Sequence, residues 1–412
     1  MPPLARGRTA ANAPTLLDAL ARAPAAAALE EQDDRKALRL THSQMRDAVG
    51  EATTKLKVDL RVAAAARPPT PARWPRLEEL RIDIPDLATI EALGLVTWRP
   101  LRSLRLDGRK RTYPHTTNLE APCARAFAAA LRRMPALRAL ELRHFELSAE
   151  AAAALFRASS AEAVPQLRAL IVRGAELTPD AARMIAATGW PLEELDLGCN
   201  NLGAAGLAVL AAAPTVALRR LKLAGCGLDA AALLAVANAP WPLEELDLSY
   251  NDFSSAAAGP TLAALSRLAS LRRLDVSHCH LSAAGFKALV EATWPALTFL
   301  DAAVAKVALS GPHALGAAAF ADLPALEELD LSFVRVGEAG AALLASGSWA
   351  RLKKLVLCNT QLGDAGLTAL ARGAWPALER LDLRWNFFGA PPTLEDARRW
   401  APALVEMHQS QR

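Results

Sequence analysis

The chain has 412 residues, 52% of them apolar and only 5% aromatic, with a net charge of +4. That charge is near neutral for this size, and no Lys/Arg stripe with interleaved aromatics marks a nucleic-acid binder. No apolar run reaches the ~20 residues that span a bilayer, and five widely spaced cysteines form neither a disulfide framework nor a metal-ligand cluster. The positive charge is concentrated early: residues 1–150 carry 25 Lys/Arg against 18 Asp/Glu, and the remainder leans acidic. Ala and Leu dominate the apolar fraction, and both favour helix.

Residues 1–13 read as a loose Pro/Ala/Arg tail. There is no secretory signal. Two arginines and no acid in the first 17 residues are faintly like an organelle transit peptide, but the early prolines and lack of serine point away from import. The segment 14–66 reads as helical and not repeat-like. Leu16, Leu17 and Leu20 make one apolar stripe, and Leu38, Leu40, Met45 and Val49 make part of another at helical spacing. Asp33-Asp34 stands where a cap for the second helix belongs. The run Ala37-Leu38-Arg39-Leu40-Thr41-His42-Ser43-Gln44-Met45-Arg46-Asp47-Ala48-Val49 resembles the second half of an F-box. That family's helical trio docks on the adaptor of cullin-type ubiquitin ligases and often precedes leucine-rich repeats. Its usual opening Leu-Pro is replaced here by Ala13-Pro14-Thr15-Leu16-Leu17, and its Cys-Arg element by His42-Ser43-Gln44-Met45. The resemblance implies that Leu16, Leu17, Leu38, Leu40 and Met45 contact the adaptor. The same segment also reads as a cap over the apolar edge of the first repeat, which a solenoid needs in any case. The two readings are compatible. Ala63 to Ala72, rich in proline, is the linker.

Repeats occupy 67–402. First leucines fall at Leu77, Leu101, Leu137, Leu167, Leu192, Leu218, Leu243, Leu271, Leu297, Leu326, Leu352 and Leu378, about twelve repeats. The clearest phrase is Leu192-Glu193-Glu194-Leu195-Asp196-Leu197-Gly198-Cys199-Asn200-Asn201-Leu202, which returns at Leu243 and at Leu378. This is the strand half of a leucine-rich repeat, the family that the chain resembles over most of its length. The second half is helical: Leu202-Gly203-Ala204-Ala205-Gly206-Leu207 recurs at Leu281 and Leu362. Ser148, Thr178 and Ser282 are placed as N-caps, with Pro179 at a first helical position. The small Ala and Gly residues imply close helix packing. Strands stack about 4.8 Å apart and helices are about 10 Å wide, so the helical side must fan out. The resemblance is nearest to the ribonuclease-inhibitor-like subclass and implies an α/β fold: a leucine-rich-repeat horseshoe solenoid with a parallel concave sheet, convex helices and a small α-helical N-terminal segment. Residues 403–412 read as a degenerate, capping repeat, because Gln409 fills an apolar slot in Leu404-Val405-Glu406-Met407-His408-Gln409.

Trp74, Trp190, Trp241, Trp294 and Trp375 precede proline at repeat boundaries, and Trp98, Trp349 and Trp400 hold nearly the same slot. These eight read as packing between repeats; Trp385 alone lies off the column. Cys226 and Cys279 occupy the slot of Asn200 and Asn251 and read as structural free thiols of a reducing compartment. The long step from Leu101 to Leu137 holds an insertion, 107–120, with the basic tip Arg109-Lys110-Arg111. Asp301-Ala302-Ala303-Val304 departs from the strand phrase, and a deviant loop is expected after it.

Seven histidines are scattered, with no nucleophile motif, metal motif or phosphate loop beside them. The chain therefore reads as non-catalytic, with no cofactor and no metal. What remains is the concave face. The residue between the second and third leucines points there, and six of its last eight occupants are Asp: Asp196, Asp247, Asp275, Asp301, Asp330 and Asp382. The residue before the Asn slot makes a second column that includes His144, Gly174, Cys199, Gly225, Tyr250, His278, Val304, Phe333, Asn359 and Trp385. Aromatics beside charges have the composition of binding hot spots. Asp196, Asp247, Tyr250, Asp275, His278, Asp330, Phe333, Asp382, Arg384 and Trp385 are the candidate partner-binding residues. Leu-Asp-Leu-Ser is also a common spelling of such strands and needs no ligand to explain it. The expected protein is a cytoplasmic, monomeric binding module for a protein partner, with no nucleic-acid or membrane role. The nucleus and the cytoskeleton or cilium are further locations. The F-box resemblance implies substrate recognition for a ubiquitin ligase; the other reading is a scaffold or regulator without that link.

Overall fold

The computed structural model describes residues 55–59, 77–83, 87–95, 97–109, 116–158, 162–213, 217–305, 320, 323–390 and 392–409. The F-box-like residues Leu16, Leu17, Leu38, Leu40 and Met45, Trp74 and the basic tip 110–115 lie outside them. The described residues form two compact units. One runs to Glu176 and takes in Ala187–Pro191; the other holds Leu177–Ala186 and continues from Leu192.

The first unit contains β1 (Lys55–Asp59), β2 (Glu79–Asp83), α1 (Leu87–Gly94), β3 (Ser103–Asp107), β4 (Thr117–Asn118), α2 (Ala121–Leu131), β5 (Ala139–Arg143), β6 (Phe145–Glu146), α3 (Ala149–Ala158) and β7 (Ala169–Arg173). Strands β1, β2, β3, β5 and β7 pair in parallel in that order. The helical reading of 14–66 is corrected at 55–59. Leu56 aligns with Leu80 and Val58 with Ile82, so these residues extend the sheet by one strand. The alternation of Leu and Val fits a strand, but Thr53 stands one repeat step before Leu77, and the missing leucine hid the phrase. The insertion folds its return limb against the next repeat, β4 pairing with β6. The Thr117 hydroxyl donates to the Gly108 carbonyl at 2.7 Å. A Cβ on Gly108 would stand 2.6 Å from the His144 carbonyl oxygen and 2.9 Å from the Phe145 ring, so only glycine fits there.

The second unit contains α4 (Pro179–Ala187), β8 (Glu194–Asp196), α5 (Gly203–Ala211), β9 (Arg220–Lys222), α6 (Ala230–Ala237), β10 (Glu245–Asp247), α7 (Ala258–Ala264), β11 (Arg273–Asp275), α8 (Ala283–Glu291), β12 (Phe299–Asp301), β13 (Glu328–Asp330), α9 (Gly337–Ala345), β14 (Lys354–Val356), α10 (Gly363–Leu370), β15 (Arg380–Asp382), α11 (Leu394–Arg398) and β16 (Glu406–His408). Strands β8 to β16 form one parallel run in chain order. Their second leucines align from Leu195 to Leu381 and bury against the helices. Full burial of one leucine contributes about 1.5–3 kcal/mol, and repetition makes this row the core. The third apolar slot is equally buried, including Ala302, which replaces a leucine while β12 still pairs on both sides. The phrase is thus intact through Ala305, and the expected deviant loop lies outside the described residues. The last echo pairs fully, with Met407 beside Leu381.

Glycine brings helix to helix as much as helix to sheet. A Cβ on Gly206 would stand 3.3 Å from the Pro179 Cα, where α5 meets α4. Asp229 and Ser282 cap α6 and α8 through side-chain oxygens, and Ser148 accepts from Ala151 N–H in α3. Among the described residues, where a repeat has a boundary tryptophan, that residue packs at its end. The indole N–H donates five residues back to a helix-end carbonyl in Trp98 to Leu93 at 2.9 Å, Trp294 to Leu289 at 2.9 Å, Trp349 to Leu344 at 2.5 Å and Trp375 to Leu370 at 3.0 Å. One orphan carbonyl at the helix end is thereby satisfied, and the ring packs on its neighbour: Trp349 and Trp375 stack at 6.0 Å.

Candidate functional site

The strand ends of the second unit turn through a repeated device. Asn200, Asn251 and Asn386 are buried and bridge adjacent repeats. Asn386 Oδ1 accepts from the N–H groups of Thr360 and Leu362, both at 3.0 Å, and its Nδ2 donates to the Leu357 carbonyl at 2.7 Å. Cys226 and Cys279 fill the slot with a thiol that donates to the Leu197 and Leu248 carbonyls. Burial pushes the Cys279 thiol up to about 12, so it is a packed group and not a nucleophile.

To place that side chain inside, the chain must reverse just before it. From His144 onward every described occupant of the preceding position has positive φ: His144, Gly174, Cys199, Gly225, Tyr250, His278, Val304, Phe333, Asn359 and Trp385, between 53° and 63°. The reversal lets the same residue's N–H reach the next repeat, as from Tyr250 to the Ser277 carbonyl at 3.0 Å and from Phe333 to the Cys358 carbonyl at 2.8 Å. Left-handed backbone suits glycine and costs other residues roughly 1–2 kcal/mol. Gly174 and Gly225 follow that preference. From Tyr250 onward the position instead carries large side chains on the face opposite the leucine core. Tyr250 is 63% exposed, Phe333 43% and Trp385 54%. They pair: Tyr250 stacks on His278 at 4.3 Å between ring centroids, and Phe333 meets Trp385 edge-on at 6.3 Å. Phe387, two residues from Trp385, is 80% exposed; nothing periodic in the sequence singled it out.

The aspartates beside this column have a local task. Each accepts the N–H two residues on: Gly198 to Asp196, Ser249 to Asp247, Ser277 to Asp275, Ala303 to Asp301, Ser332 to Asp330 and Arg384 to Asp382. This is the Asx-turn bond. Asp196 and Asp382 are buried, the latter held by Arg384 with Nη2 to Oδ2 at 2.6 Å. The expectation that both are contact residues is therefore corrected: their carboxylates fold onto their own turns, and Arg384 is committed to Asp382. Asp247, Asp275, Asp301 and Asp330 are half-buried and stand in register on four adjacent strands. Burial raises Asp275, and burial with the Asp330 and Asp275 charges raises Asp301 to about 7.

A folded pKa above the unfolded one means that the folded chain binds the extra proton. Stability from Asp301 is then complete below the ordinary carboxylate pKa, near 4, and is lost as pH rises through about 7. Asp301→Asn keeps an acceptor for the Ala303 N–H without the charge. It is expected to raise stability at pH 8 by on the order of 2–4 kcal/mol and to leave it unchanged at pH 4. Urea midpoints across that range check this; an equal gain at both ends would contradict it.

The first unit's strand face is charged but self-neutralising. Arg81 reaches Asp83 at 2.8 Å and Asp107 at 3.2 Å, Arg105 reaches Asp107 at 3.5 Å and Glu141 at 3.6 Å, and Arg143 pairs with Glu141. His144 Nδ1 stands 2.8 Å from Asp107, and its Nε2 meets Arg109 at 2.8 Å. Burial alone would raise Asp107, but the hydrogen bonds from His144 and the Arg109 N–H hold it below the usual carboxylate value. Among the described residues, Arg81, Arg105 and Arg143 on this face are thus each paired with a carboxylate. Among the described residues no group of three or more His, Cys, Asp or Glu is placed to hold a metal, and no helix is long and apolar enough to cross a membrane.

The family described as Leucine Rich repeat matches residues 191–211 and 267–290. Comparison with curated proteins finds no match. Among solved structures, the chain is similar to one in the crystal structure of the TLR13–ssRNA13 complex, with a TM-score of 0.50 at 20% identity, over 86% of this chain and 44% of that one. It spans less than half the length of that neighbour. A chain in the Rad7 and Elc1 complex in yeast has a TM-score of 0.48 at 14% identity, over 81% of this chain and 75% of that one. The matched segments and the stacked strand–helix units give this chain the α/β solenoid fold of leucine-rich repeats.

Proposed function

We propose that the chain is a non-catalytic binding protein whose second-unit strand face takes a protein partner through Tyr250, His278, Phe333 and Trp385. One observation carries this: large, exposed aromatics occupy a left-handed position that two other repeats fill with glycine, at Gly174 and Gly225. The fold's own demand at that position favours no side chain at all, and exposed aromatics are otherwise a liability. Trp and Tyr in clusters are the residues that dominate binding energy. Trp385→Gly relieves the backbone, by about 1 kcal/mol, while losing the Phe333 contact. Its thermal midpoint is expected to stay within a few degrees of the parent, with capture of the partner from lysate falling at least about tenfold. A marked loss of stability would make Trp385 a packing residue and remove the proposal.

The finer form joins the strand face to a ubiquitin ligase, with the F-box-like segment holding the cullin-ligase adaptor through Leu16, Leu17, Leu38, Leu40 and Met45. Its support is the sequence run 37–49. The other reading, a scaffold or regulator without that link, needs only the strand face. Because β1 belongs to the sheet, the test uses the full chain and point variants. Co-purification with the adaptor that is lost in Leu38→Ser and Met45→Ser supports the ligase form. No co-purification with a folded chain leaves the scaffold.

A further inference from the structure

The aromatic column is bordered by a row of one sign. Asp247, Asp275, Asp301 and Asp330 align on β10 to β13, at the ~4.8 Å spacing of neighbouring strands. Among the described residues no Lys or Arg forms an ion pair with any of them. The lysines on the flanking strands β9 and β14 pair with glutamates, Lys222 with Glu245 at 3.2 Å and Lys354 with Glu328 at 3.5 Å, and Lys354 offsets the Asp301 charge only in part. Arg273 lies over the Phe299 ring, 3.9 Å from its centroid, which shows that this face accepts a guanidinium on an aromatic. Each aspartate gives its Oδ1 to its own turn, and among the described residues no side chain or backbone N–H bonds its Oδ2.

Resting on the reading of this face as a protein-binding surface, we propose that its occupant is a basic, arginine-bearing segment of the partner, with guanidinium groups on the aspartate row and flat contacts against Tyr250–His278 and Phe333–Trp385. Charge complementarity selects this occupant. A guanidinium offers a fork to carboxylates and a face to rings, and its charge favours the ionised form of the raised aspartates, whereas an acidic peptide or a nucleic acid would meet a row of carboxylates of its own sign. The row spans about 14 Å over three strand intervals, matched by residues i, i+2 and i+4 of an extended segment at about 3.4 Å per residue.

The test measures fluorescence anisotropy of the full chain with a labelled arginine–serine peptide, a glutamate–serine peptide of equal length and a single-stranded oligonucleotide. The expected result is saturable binding of the arginine peptide alone, weakened at least about tenfold by high salt. Asp275→Asn with Asp301→Asn should also weaken it at least about tenfold; each asparagine still accepts its turn N–H, and thermal unfolding checks the fold. Binding of the acidic peptide or the oligonucleotide, indifference to the double variant, or no binding of the arginine peptide would overturn the proposal. The partner capture described above separates the two claims. If Trp385→Gly abolishes capture while the aspartate variant leaves it whole, the face binds protein but not through a basic segment. If neither variant affects capture, the binding face itself is wrong.

Discussion

Asn251→Ala is expected to lower the unfolding free energy by about 3 kcal/mol or more. The carboxamide oxygen accepts the N–H groups of Cys226 at 3.0 Å and Leu228 at 2.9 Å, and its nitrogen donates to the carbonyls of Leu223, Leu248 and Ser249 at 2.9, 2.7 and 3.2 Å. All of this is buried. Alanine leaves two N–H donors and the Leu223 carbonyl without these partners, while the Leu248 and Ser249 carbonyls keep the Cys279 thiol and the Gly225 N–H; each stranded buried group costs about 1–3 kcal/mol. Cys279→Ala is the internal contrast, since the thiol supplies one weak donor to the Leu248 carbonyl; its loss should cost about 1 kcal/mol. Urea unfolding of both variants measures the difference. Equal losses would show that the asparagine bridges are not what joins the repeats.

The second large effect is Trp375→Ala, expected to cost about 3–5 kcal/mol. The ring is fully buried, stacks on Trp349 and donates to the Leu370 carbonyl. Around it there is little slack: a Cβ on Gly373 would stand 2.7 Å from the indole nitrogen and 2.9 Å from the Ala345 Cα. Trp375→Phe keeps a ring against Trp349 and loses only the hydrogen bond and some volume, so it should retain most of the stability. Thermal unfolding of the pair separates packing from hydrogen bonding. If phenylalanine does as badly as alanine, the helix-end bond matters more than the stack.

Much of the fold was legible because the leucine period and strand alternation repeat the same physical demand about a dozen times, and the boundary tryptophan marks eight of those steps. β1 escaped because a single repeat with Thr53 in place of a leucine has no redundancy. The candidate face was found from side-chain direction alone, but its backbone was not. The clue was present: Gly174, Gly225 and Asn359 share the column with Tyr250 and Trp385, and glycine with asparagine is the composition of a left-handed position. Aromatics in the same column masked it. The aspartates were read as surface charge, yet Asp-x-Ser at 247–249 and 275–277 also spells an Asx turn. Whether Asp196 and Asp382 bury depends on neighbouring repeats, which local spacing does not carry. Phe387 belongs to no column, so only its exposure in the folded chain reveals it.

The left-handed column has one more consequence. Cysteine, glycine, tyrosine, histidine, valine, phenylalanine, asparagine and tryptophan all hold the same φ there, so the turn forms whichever of them it carries, at a similar small backbone cost for every one but glycine. Each such position is a blank that can be rewritten without disturbing the leucines behind it. Mutational drift along the column would then alter what the surface recognises one letter at a time, while the chain continues to fold, and lineages of such repeats could part company in specificity long before they part in architecture.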